Sequence, residues 1–291
     1  ARPGGYMNWG NAAGGRSRDC RMQVQATMAD IGDKIVPVPV QDGKDWTWYR
    51  NRSQASDLFA IAPGETWFGG YDHGRRHGVI HVADSDRVRG KKFFTWGNGQ
   101  DGLIWSRLFG MNCKHYGEIQ AGLNDNQVVV DRMEAGTAVA FGERWYPIRE
   151  LGDVLLASDE MAVSVVTVKG RPVSSQLRLL SPVEHAGVGV TVTVGGKTLV
   201  SRRVRLAVGK PVAVPLPCFA DEAVMHLVVK SGRRVLLEGD LARRPQANEA
   251  ERQAFTEARL ASRRQDALGQ AMTTLDQHAS EADAAMQLAR A

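Results

Sequence analysis

Cysteine is scarce in this 291-residue sequence: Cys20, Cys113 and Cys218 lie far apart, and no CxxC occurs. An odd, dispersed set excludes a disulfide framework and points to a reducing, cytoplasmic setting. No run of 18 apolar residues exists, so no membrane-spanning helix is expected. GxSxG, a Walker loop and a GxGxxG after a strand are all missing, which removes the usual signatures of serine hydrolases, nucleotide hydrolases and dinucleotide enzymes. No cofactor is implied. Concentrated charge is missing too. The net +5 comes from short pairs such as Arg75-Arg76, Lys91-Lys92, Arg202-Arg203 and Arg263-Arg264, spread along the chain. They read as solvated surface, and no nucleic-acid partner is expected.

Aromatics are missing from one half of the chain. All seven Trp and all five Tyr precede residue 147, and only Phe219 and Phe255 follow. One homogeneous domain would not distribute them so. A boundary near 147–157, at Pro147 and Gly152, divides a 1–150 domain from a 151–242 domain. The chain starts at Ala1 in what reads as mid-fold sequence, so a missing N-terminal portion is expected.

What is present is mainly β pattern. Residues 161–170, 176–183, 189–206, 211–217 and 223–241 are Val-rich and alternating, with turns at Gly195-Gly196 and Ser231-Gly232. This spacing predicts an immunoglobulin-like β-sandwich. Before residue 147, strands are predicted at 57–62, 66–74, 78–84, 91–98 and 115–123, with a short helix over 101–109. From 248 the pattern turns helical, with Asn248 and Glu251 spaced as a capping box. Residues 248–291 form a helical tail.

The residues that carry chemistry lie in the first half. On a strand HYGEIQAGL, Tyr116, Glu118 and Gln120 share one face, and His115, Ile119, Ala121 and Leu123 share the other. A phenol, a carboxylate and an amide in line suit the reading of sugar hydroxyls, and Asp125 and Gln127 follow in the next turn. Trp67, Tyr71 and His73 share a face of a second strand, beside Asp72. His73, His77 and His81 stand four residues apart, but Gly74 and Gly78 interrupt them, so the run is not assigned to a metal. Trp46, Trp48, Arg50, Trp96 and Asn98 sit among glycines and polar residues, as aromatic walls of a ligand pocket do. His73 and His81 supply general acids, and Glu118 the base.

The segments DGKDWTWYRN (42–51), WFGGYDHG (67–74), HVAD (81–84), GKKFFTWGNG (90–99), YGEIQAGLNDNQ (116–127) and RWYPI (144–148) resemble a bacterial family, domain of unknown function 5107. The resemblance covers roughly residues 5–150. It implies a galactose mutarotase-like β-supersandwich, often followed by tetratricopeptide repeats, which the helical tail would open. A more distant resemblance to aldose 1-epimerases, carried by Glu118-Ile119-Gln120 with Asp125 downstream, implies a base role for Glu118. No His precedes Tyr6-Met7-Asn8-Trp9, so the acid of those enzymes is not carried over. The expected function is action on, or binding of, a saccharide in an aromatic-lined cleft, epimerase-like with His73 or His81. A hydrolase-like alternative pairs Glu118 with Asp72, Asp101 or Asp125. The other alternative is a glycan-binding or scaffold protein whose tail recruits protein partners.

Overall fold

The computed structural model describes residues 5–7, 10–15, 18–32, 34–108, 115–126, 131–168, 174–217, 224–242, 248–257 and 260–261. The first half contains β1 (Gly5–Met7), β2 (Gly10–Gly15), β3 (Cys20–Gln23), β4 (Met28–Ile31), β5 (Lys34–Pro37), β6 (Val40–Gln41) and β7 (Lys44–Asp45). There follow β8 (Ser56–Ile61), β9 (Trp67–Asp72), β10 (His77–Ala83), β11 (Gly90–Thr95), helix α1 (Gln100–Leu108), β12 (Gly117–Gly122), β13 (Asp131–Met133) and β14 (Glu143–Arg149).

Two antiparallel sheets dominate this half, one of six strands in the order β2-β12-β11-β8-β4-β5 and one of four in the order β14-β10-β9-β3. Their facing sides make a core. Phe93, Ile119, Leu58 and Ala60 of the larger sheet meet Phe68 and Met22 of the smaller. Each comes from an alternating strand, so every second residue turns away from this core. On the smaller sheet the residues turned away are Trp67, Tyr71, Ile80, Tyr146 and Ile148. They pack against Leu151, Val154, Ala162 and Leu180 in the next part of the chain. On the larger sheet they are Asp57, Phe59, Lys92, Phe94, Glu118 and Gln120. Four of these, Phe59, Phe94, Glu118 and Gln120, are only half-buried and Asp57 is exposed.

The second half comprises β15 (Leu156–Ala157), β16 (Ala162–Val168), β17 (Ser174–Leu180), β18 (His185–Val194), β19 (Lys197–Leu206), β20 (Val212–Leu216), β21 (Met225–Ser231) and β22 (Arg234–Asp240). The sheets β15-β16-β17-β20 and β19-β18-β21-β22 enclose a core of Leu177, Leu179, Val190, Val192, Leu227 and Val229, all fully buried. The two sheets pack face to face through this core, as the layers of an immunoglobulin-like sandwich do. Gly195 and Gly196 form the two-residue turn between β18 and β19 with φ of 53° and 77°, the left-handed pair that such a hairpin requires. Asn248 and Glu251 bond reciprocally, each backbone N–H donating to the other's side chain at 2.9 Å, and open a helix over 249–257.

One expectation fails here. Lys91 and Lys92 are not solvated surface; they are 3% and 0% exposed. They sit on β11, a central strand, where Lys91 turns to the inter-sheet side between buried Ala60 and Ala121 and Lys92 is flanked by Phe59 and Gln120 on the other face. Burial drives the Lys92 ammonium down to about 8, against the attraction of Asp125.

Candidate functional site

The side chains singled out in the sequence separate into three places. The first lies on the outward side of the four-stranded sheet. The His73 ring packs on Trp48 and Tyr71 at 4.7 and 4.9 Å between centroids. The guanidiniums of Arg50 and Arg21 lie over Trp48 at 3.7 and 5.2 Å. His73 Nε2 meets Asp153 Oδ1 at 3.1 Å. Arg21 Nη1 and Gln23 Nε2 donate to the same carboxylate, and Gln23 Oε1 accepts from Val154 N–H at 3.0 Å. This is a junction with the second sandwich. Tyr71 belongs to it, and burial raises its phenol pKa.

The second group holds loops and core. Asn98 Nδ2 faces the carbonyls of Tyr49, Arg50 and Arg52 at 3.2, 3.0 and 2.8 Å, so it ties two loops together. Trp46 stacks under Lys44 Nζ at 3.8 Å, and its carbonyl accepts from buried Arg52 Nε at 3.1 Å. His81 is 2% exposed against Phe68 and Trp145, with Nε2 3.0 Å from Glu143 Oε2. Desolvation drives its pKa down to about 4, although Glu143 pulls the other way. It is a neutral core histidine.

The third group is on the half-open side of the six-stranded sheet. Trp96 lies 5.0 Å from Tyr116 and 6.1 Å from Trp105 between ring centroids. The Tyr116 hydroxyl donates to Glu118 Oε1. Phe59 and Phe94 pack edge-to-face at 5.7 Å beside them. Trp105 is 43% exposed on α1, flanked by exposed Ile104 and Leu108. The loop beneath α1 is fixed by segment 49–54. Tyr49 Oη donates to Gly97 O, Asn98 N–H to Arg52 O and Gly99 N–H to Ser53 O, all within 3.1 Å. Gln120 occupies the next row of this face, opposite Lys92.

A cavity of about 340 Å³ lies between the two sheets, walled by Cys20, Asp72, His77, Val79, Phe93 and Ile119. Glu118 borders it, but its neighbours Gly117 and Ile119 are the buried pair and Glu118 is not. Alternation therefore turns the carboxylate to the aromatic side. The expected cleft between a His-bearing face and a Glu-bearing face does not form, because those faces lie on opposite outsides of one sandwich. Asp72 is 5% exposed, accepts from Arg75 N–H at 3.0 Å and belongs to the cavity rather than to Glu118. Asp125 lies 4.0 Å from Arg89 Nε. Gln127 and Cys113 lie outside the described residues. Trp105 shows in the sequence only as one aromatic among several that could stack on a sugar, and Asp57 and Phe94 carry no local signal.

Residues 2–141 match the family model described as Domain of unknown function (DUF5107). A TPR-domain containing protein from Parabacteroides distasonis is similar in structure at 18% identity with a TM-score of 0.42, over 50% of this chain and 26% of that one. This chain therefore spans about a quarter of that protein's length.

Proposed function

We propose, from the premise that residues 2–141 form a DUF5107 domain, that the domain binds saccharides on the half-open face of its six-stranded sheet. The observation that carries this is the Trp105–Trp96–Tyr116 ring cluster joined through the Tyr116 hydroxyl to Glu118. Flat rings match the C–H faces of pyranoses, and a carboxylate accepts hydrogen bonds from vicinal hydroxyls. Glu118 serves as acceptor, and as base for a hydroxyl or water brought to it. Ring opening by His73 or His81 is disfavoured, since His73 is engaged with Asp153 and His81 lies in the core.

Tryptophan fluorescence titration with a panel of neutral mono- and oligosaccharides tests this reading. Saturable quenching is expected in the wild type and weakening in Glu118→Gln. Flat titrations across the panel would sink it.

A further inference from the structure

The strand register sets a second carboxylate beside Glu118. Asp57 on β8 pairs with Phe94 on β11, and Phe94 pairs with Glu118 on β12. Directly opposed residues share a face, so Asp57, Phe94 and Glu118 form one row on the side that bears Phe59, Trp96 and Tyr116. Each step across an antiparallel pair spans about 4.5–5.5 Å between Cα atoms, so the two acidic residues stand about 10 Å apart at the backbone. The Phe94 side chain rises from the same face between them and packs edge-to-face on Phe59 at 5.7 Å.

The two carboxyls have different surroundings. The residue Asp57 is exposed at its edge, yet packing beside its carboxyl raises the pKa, with the Arg52 guanidinium as the opposing influence. Glu118 Oε1 accepts from the Tyr116 hydroxyl. That leaves its second oxygen to take a proton.

We propose that Asp57 and Glu118 are the general acid and general base of a glycoside hydrolase that inverts the anomeric centre. The proposal rests on the saccharide reading above. Paired carboxyls stand about 6.5–9.5 Å apart for inversion and about 5–5.5 Å for retention. Side chains rising from one face about 10 Å apart fit the wider class, which leaves room for water beside the sugar. A sugar standing over Phe94 has Glu118 on one side and Asp57 on the other. Glu118 takes a proton from water as the water oxygen bonds to the anomeric carbon. The bond from that carbon to the glycosidic oxygen breaks, and the Asp57 proton passes to the departing oxygen. Water is the only co-reactant. The products are a reducing sugar of opposite configuration and a free hydroxyl on the leaving sugar, and solvent returns the protons. Packing beside the Asp57 carboxyl favours its protonated form, the form a general acid needs. The Trp96–Trp105 wall, next to Glu118, holds an adjoining sugar unit.

The test uses the full chain, Asp57→Asn and Glu118→Gln. The probes are 4-nitrophenyl α- and β-glycosides of glucose, galactose, mannose and xylose, together with malto- and cello-oligosaccharides. Proton NMR identifies the first anomer released, and tryptophan fluorescence measures binding. Cleavage with inversion is expected, and on the oligosaccharides each variant loses about 100-fold or more in kcat, the usual weight of general acid–base catalysis; Asp57→Asn still binds within a few-fold of the wild type, whereas Glu118→Gln also binds more weakly. Asp57→Asn is expected to lose least on nitrophenyl substrates, whose leaving group needs no proton. Retained configuration, or full turnover of the oligosaccharides by Asp57→Asn, overturns the proposal. Wild-type binding without cleavage overturns hydrolysis and leaves the saccharide site standing. Absence of both binding and cleavage overturns the two together.

Discussion

His73 Nε2 stands 3.1 Å from Asp153 Oδ1, and through that carboxylate the end of β9 is fastened to the segment between β14 and β15. Asp153 also receives Arg21 and Gln23, so three side chains of the first sandwich converge on one residue. Arg21 is 7% exposed and, among the described residues, keeps only Asp45 as a charged partner if Asp153 is lost. Asp153→Ala is expected to cost about 2 kcal/mol, the weight of a partly buried charge left short of a partner. Urea unfolding followed by tryptophan emission checks it, because every Trp lies before residue 147. An unchanged midpoint would mean that the junction contributes nothing.

Burial lowers the folded-state pKa of His81 to about 4, from an ordinary 6.5. The unfolded chain therefore binds more protons between those values, and stability contributed by neutral His81 falls as pH drops from about 6.5 toward 4. His81→Gln, which keeps a donor for Glu143, is expected to flatten this acid loss. Thermal melts of both proteins from pH 7 to 4 give the comparison; parallel curves would refute it.

His226 has the opposite sign. Hydrogen bonding and charge from Asp240, then Glu238, raise its pKa, with Nδ1 2.8 Å from Asp240 Oδ1. Its contribution is present below about 6.5 and is lost as pH rises through the raised folded value. The stability gap between wild type and His226→Asn should therefore narrow from pH 6 to 8.5. A gap independent of pH would show that the pairing is inert.

Trp105 offers a face to solvent, so its removal should affect binding far more than folding. Trp105→Ala is expected to weaken saccharide binding about five- to tenfold, in keeping with about 1 kcal/mol for an aromatic contact. The melting temperature should move little. Calorimetric titration with whichever oligosaccharide quenches the wild type reads the first, and a melt the second. Equal affinity in the variant would remove α1 from the site.

Local periodicity made part of the site legible. The alternation in HYGEIQAGL correctly separates Glu118 and Gln120 from Ile119 and Ala121, because strand period is a short-range property. The strands between Cys20 and Asp45 run two to four residues each, too short to show a period. The Asp57–Phe94–Glu118 row depends on register between segments 37 and 24 positions apart, which no local pattern encodes. Lys91-Lys92 misled for a related reason. Charge pairs are usually solvated, and only the side chains that β11 meets on its neighbouring strands remove these two from water.

Gly102 ties helix position to the site. A Cβ there would stand 2.1 Å from Gly97 O and 2.4 Å from Trp96 O, both backbone atoms of the loop under α1. That loop has little freedom, since Tyr49, Arg52 and Ser53 hold it from below. Gly102→Ala must therefore shift α1, and Trp105 with it, away from Trp96. Saccharide binding is expected to fall at least as far as in Trp105→Ala, with tryptophan emission altered before any sugar is added. The double variant should bind no worse than Gly102→Ala alone, because both changes remove the same contact. Additive losses in that cycle would show that Gly102 acts elsewhere, and that Trp96 and Trp105 need not be held together for the site to work.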